Sequence, residues 1–134
     1  MSVHLSHTFL WVHDADEALA FYTGPVGLEK RADSDMGFMR WLTVGAPGQP
    51  EVEIGLLGVG PPLPPADVEP VRELLTKGSM GSLIFGTDDV QETFELLRDA
   101  GAEVLQEPKA QDYGVTDCAF RDPSGNSIRF SQPL

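Results

Sequence analysis

Apolar and polar side chains alternate through His7-Thr-Phe-Leu-Trp-Val12, the period of a half-buried strand with His7, Phe9 and Trp11 on one face and Thr8, Leu10 and Val12 on the other. The strand runs into Asp14-Ala-Asp-Glu17, a helix-start pattern in which the aspartate caps the first turn. Leu19, Phe21 and Tyr22 follow at helical spacing and lead to Gly27, a helix stop. The same order returns later in the chain: His7 aligns with Ser82, Asp14 with Asp89 and Glu17 with Glu92, a constant offset of 75. Phe94, Leu96 and Leu97 then lead to Gly101, and a new strand follows each glycine. Strand-like residues 38–44 and 51–57 flank the turn GAPGQP, and 116–120 and 127–131 flank DPSGN. Each half therefore reads β-α-β-β-β. The pattern predicts a single α+β domain of two repeated βαβββ modules, residues 1–57 and 81–134, joined by a linker over 58–80. Four prolines open that linker and exclude regular structure there, while its VEPVRELL section predicts a short helix with Pro70 in the first turn.

Composition narrows the class. The 134 residues, 41% hydrophobic and 22% charged, suit one ordered globular domain. No apolar run approaches the roughly 20 residues of a membrane helix. The start MSVHLSHTFLWV lacks the basic and apolar segments of a signal peptide, so a cytoplasmic location is expected. A net charge of −12 argues against nucleic acid and anionic membrane as partners. It is compatible with a basic or neutral ligand, and equally with solubility alone. The single cysteine, Cys118, cannot form an internal disulfide and sits in the apolar CAF run as a small buried hydrophobe.

Near the C-terminus, Ser127-Ile-Arg-Phe-Ser131 alternates again, with Ile128 and Phe130 on one face and Arg129 on the other. Arg129 either meets water on an edge strand or points into a pocket, and Glu53 in EVEIGLL has the same two options.

The paired modules, the LAFYTGPVGLE stretch, the TDDV start of the second module and the FRDPSGN-x-I ending resemble the vicinal oxygen chelate superfamily. That group includes glyoxalase I, bleomycin-resistance proteins, fosfomycin-resistance enzymes and extradiol dioxygenases. The resemblance implies strands curled into a cup with helices outside, and a two-fold homodimer. It also implies four inward metal-ligand positions, which here fall on His7, Glu53, Ser82 and Arg129. The first two suit a divalent ion. Serine is a poor ligand and a guanidinium has no lone pair to donate, so the implied site is degenerate and no metal cofactor is expected. An ion pair between Glu53 and Arg129 in place of the metal is the corresponding expectation.

The implied ligand pocket comprises His7, Phe9, Trp11, Trp41, Glu53, Ser82, Ile84, Tyr113 and Arg129. Met39 and Leu42 leave the phase of Trp41 open, Tyr113 is either at the cup mouth or on an exposed loop, and His4 and His13 read as surface residues. Three functions fit the resemblance. The leading one is metal-free binding of a small organic molecule, as in drug-sequestering members. The alternatives are a metal-dependent lyase, thiol transferase or dioxygenase, and a metal-free enzyme in which Glu53 or His7 is the base and Arg129 steadies an oxyanion.

Overall fold

The computed structural model describes residues 2–133. Module 1 consists of β1 (His7–Val12), α1 (Ala15–Thr23), β2 (Glu29–Asp35), β3 (Arg40–Gly45) and β4 (Glu53–Gly58). Then come α2 (Pro65–Thr76) and the second module, β5 (Ser82–Gly86), α3 (Val90–Asp99), β6 (Glu103–Ala110), β7 (Val115–Arg121) and β8 (Ser127–Pro133). The caps act where the sequence placed them. Asp14 accepts from the amides of Asp16 and Glu17, and Asp89 from that of Glu92. Gly27 and Gly101 carry positive φ after their helices, a conformation that costs glycine nothing.

Each module forms its own four-stranded mixed sheet, ordered β1-β4-β3-β2 and β5-β8-β7-β6. The first strand pairs in parallel with the last, so His7 stands beside Glu53 and Ile84 beside Arg129. The other pairs are antiparallel. One face of each sheet is apolar and covered by its helix: Leu10, Val12, Leu42, Val44 and Leu56 in module 1, and Cys118, Phe120, Ile128 and Phe130 in module 2. These residues join Tyr22, Phe94 and Leu97 of the helices in one continuous core. Cys118 is fully buried, and burial pushes its thiol up to about 11, which leaves it protonated and inert at neutral pH.

A polar seam ties the modules across this core. The Tyr22 hydroxyl donates to Asp122 Oδ2 at 2.7 Å, and Asn126 Nδ2 donates to the Trp11 carbonyl at 2.9 Å. Asp122 Oδ1 accepts from the amides of Ser124, Gly125 and Asn126, so the DPSGN turn closes around one buried carboxylate. His13 is exposed, as expected, yet it also belongs to this seam. Its amide donates to Ser124 Oγ, and its Nε2 lies 2.9 Å from Thr76 Oγ1.

The linker holds more structure than its prolines suggest. The helix runs over twelve residues, with Pro65 in its first turn and Pro70 in its interior. Leu75 is completely buried, and its carbonyl lies so close to Gly125 that no side chain fits there.

Candidate functional site

Strand alternation assigns the opposite, uncovered face of each sheet. In module 1 this face carries His7, Phe9 and Trp11 of β1 and Glu53 and Gly55 of β4. Leu42 and Val44 point to the helix, which settles the phase of β3: Trp41 and Thr43 stand on the uncovered face. Trp41 lies 5.8 Å from His7 and 5.6 Å from Phe9, ring centre to ring centre, and meets Phe9 edge-on. Gly55 lets Phe9 lie flat on the sheet, since a Cβ there would sit 2.5 Å from the ring. The Thr43 hydroxyl donates to Glu53 Oε1 at 2.6 Å, and His7 Nε2 lies 3.8 Å from the same oxygen. The result is an aromatic wall with one carboxylate at its foot. Phe9 is half exposed, and Trp11 is half-buried.

The corresponding face of module 2 is polar. Ser82 is exposed, and Ile84 is 73% exposed although it is a large apolar side chain. Arg129 lies beside Ile84 and turns one nitrogen toward both Gln106 Oε1 at 3.1 Å and Asp117 Oδ2 at 3.2 Å. Asp117 is 1% exposed. It accepts from Gln106 Nε2 at 2.8 Å, Gln111 Nε2 at 2.9 Å and the Tyr113 hydroxyl at 3.3 Å. Burial pushes its carboxyl up, but the donors on Gln111 and Gln106 together with the Arg129 guanidinium hold it below the usual carboxylate range. Tyr113 itself is 72% exposed at the loop tip, with only its hydroxyl tied inward.

The expected Glu53 and Arg129 pair is therefore not made within the chain. Glu53 is engaged by Thr43 and His7, and the carboxylate beside Arg129 is Asp117, which the sequence reading passed over. A signal for it was available. In Val-Thr-Asp-Cys-Ala-Phe, with Cys118 and Phe120 facing the helix, alternation places Asp117 and Ala119 on the other face, and Ala119 is the register partner of Arg129. Thr43, Gln106 and Gln111 were missed as well. Isolated polar residues in short strands carry no spacing that announces them.

His7, Glu53, Ser82 and Arg129 do not suit a divalent cation. Two of them are oxygen or nitrogen donors of one module, the third is a hydroxyl and the fourth is a cation itself. Among the described residues no group of three His, Cys, Asp or Glu side chains converges. Among the described residues the side-chain hydrogen bonds between modules all lie on the seam, and none joins the two uncovered faces. The depression of about 460 Å³ beside the β2–β3 turn is lined by none of the predicted site residues.

Comparison with known proteins places this architecture. Residues 4–130 match the family model of the glyoxalase/bleomycin resistance protein/dioxygenase superfamily. The crystal structure of UcmS2 is 41% identical, with 98% of each chain covered and a TM-score of 0.90. That of TnmS3, described as an antibiotic binding protein from Streptomyces sp. CB03234, is 30% identical over 99% of this chain and 98% of its own, with a TM-score of 0.78. A probable lactoylglutathione lyase of Synechocystis sp. (strain ATCC 27184 / PCC 6803 / Kazusa) is 27% identical, covering 96% of this chain and 94% of the relative. The chain belongs to the glyoxalase/bleomycin resistance protein/dioxygenase superfamily.

Proposed function

We propose that this superfamily member binds a small, largely apolar organic molecule without metal chemistry, in a cup that two copies of the chain complete together. The observation that carries this reading is the pair of uncovered faces. Each sheet leaves one face without a helix; on these faces the chain exposes Phe9 and Ile84, Tyr113 stands on the adjoining loop, and Arg129 keeps spare N–H groups. Apolar patches of this kind, with a few convergent polar groups, mark binding surfaces. Strands β1 and β5 also end their sheets with unpaired edges. Such edges invite a partner, and a two-fold homodimer would set module 1 of one chain against module 2 of the other. The antibiotic-binding description of TnmS3 supports a drug-like ligand. Lyase chemistry that depends on a divalent Lewis acid is disfavoured, because neither the Ser82 hydroxyl nor the Arg129 guanidinium is a good donor to such an ion.

Light scattering at micromolar concentrations should give twice the chain mass, and a single-chain mass would overturn the dimer. A complementation experiment tests the shared cup, using methyl 2-naphthoate fluorescence as the probe. Phe9→Asp and Ile84→Asp should each abolish binding in the pure variant. Mixed and refolded together they should recover roughly a quarter of the wild-type sites, because half of the dimers are then mixed and each mixed dimer holds one cup free of both lesions. No recovery on mixing means that each cup is built from a single chain.

A further inference from the structure

The two charges on the module 2 face lie side by side, and their arrangement bears on which ligands that face accepts. Arg129 stands with one third of its side chain exposed, and one of its nitrogens is held by Gln106 and Asp117. The rest of its planar N–H fork makes no protein hydrogen bond among the described residues. Asp117 beneath it is sealed from water, receives four donors and bears the opposite charge. A guanidinium alone would be a receptor for carboxylate, phosphate or sulfonate. With a buried carboxylate 3.2 Å away the net charge of the pair is zero, and an arriving anion meets the repulsion of Asp117 together with the attraction of Arg129. The directional donors of Arg129 survive this cancellation. They can still serve a neutral oxygen acceptor, which needs hydrogen bonds and no counter-charge.

We propose that Asp117 is a specificity-determining residue: by neutralising and orienting Arg129 it makes the module 2 face a receptor for neutral oxygen acceptors, such as ketone, ester or amide carbonyls, and turns away free anions. Gln106 and Gln111 have a defined part in this. They saturate the remaining lone pairs of Asp117, so the carboxylate cannot swing out to take a ligand donor and Arg129 keeps its orientation. Tyr113 is tethered to the same carboxylate, which holds the rim of the loop beside the guanidinium.

The inference rests on the binding function proposed above, and the test separates the two. Methyl 2-naphthoate and 2-naphthoate share a ring and a carbonyl and differ in charge. Wild type should prefer the ester. Asp117→Asn should strengthen 2-naphthoate by about tenfold and leave the ester within about threefold, and the added Arg129→Met should erase that gain. An unchanged ratio in Asp117→Asn overturns the proposal. Should that variant fail to fold, Arg129→Met alone decides: it should weaken the ester more than it weakens 2-ethylnaphthalene or 2-naphthoate, and a loss confined to 2-naphthoate would show a free anion receptor instead. Sulfate reads the same guanidinium without any ring. Against chloride at equal ionic strength, it should raise the melting temperature of Asp117→Asn more than that of wild type or of Asp117→Asn/Arg129→Met. If no naphthalene binds wild type but sulfate makes this distinction, the cup reading fails and the role of Asp117 stands. If the naphthalenes bind without regard to charge in every variant, the cup stands and the role of Asp117 falls.

Discussion

Asp117 and Asp122 are two buried aspartates five residues apart, 1% and 4% exposed, and their surroundings are opposite in kind. Asp122 sits on the seam. Three consecutive backbone amides satisfy one of its oxygens, and Tyr22 and Asn126 satisfy the other. Its donors are locked by the turn and by the core. Asp117 sits under the open face, and its donors are the ends of long side chains: two glutamines, a tyrosine from a loop and an arginine that keeps spare N–H groups. A buried carboxylate closed by backbone donors holds a structure together. One closed by side chains that also reach solvent has, in the proposal above, the task of shaping a binding surface.

The sharpest way to break this comparison is to remove each carboxylate's environment in turn. Asp122→Ala strips the acceptor from several buried donors at about 1–3 kcal/mol each, so urea unfolding should show a loss of roughly 3–5 kcal/mol. A loss below about 1 kcal/mol would mean that the seam is wet and the two aspartates do not differ. Arg129→Ala removes a partly exposed cation and leaves the glutamines on Asp117, so a smaller loss of about 1–2 kcal/mol is expected by the same measurement.

Acid sharpens the contrast further. The folded-state pKa of Asp117 lies below its unfolded value, so its contribution to stability is fully present above the ordinary aspartate value of about 3.9 and fades as pH falls through the folded value. Denaturation midpoints measured from about pH 5 down to about pH 2 should therefore fall less steeply in Asp117→Asn than in wild type; identical slopes would place the titration elsewhere. The smallest stability effect belongs to Ile84→Ser. A side chain this exposed should change unfolding free energy by no more than about 0.5 kcal/mol, yet methyl 2-naphthoate binding should be lost. A large drop in stability with binding intact would return Ile84 to the fold and away from the ligand.

The sequence made the fold legible because its signals were redundant. The Asp14 and Asp89 caps, the glycines at 27 and 101 and the alternation of β1 and β8 each pointed to the same repeat, and the order of elements and the covered faces followed. The site was legible only in part. Alternation could say that His7, Glu53 and Arg129 leave the apolar face, but it could not say which charges meet, because pairing depends on register between strands far apart in the chain. Arg129 was thus assigned to Glu53 by analogy of position, while the register beside β7 had already brought it to Asp117. The linker helix was underestimated for a related reason. Its prolines report local backbone limits, whereas the helix is held by tertiary burial of Leu75.

That buried leucine has a consequence for assembly. With the Val59 amide bonded to the Val12 carbonyl at one end, and the Leu75 carbonyl pressed onto Gly125 and Thr76 touching His13 at the other, the segment between modules is a strap fastened at both ends and not a free hinge. Proteins that dimerise by trading halves need a connector that can let go, and here release would tear open the seam first. In the proposed dimer two copies would therefore meet as finished bodies: association should be second order in protein and quick, and it should proceed at temperatures where exchange of halves would be frozen.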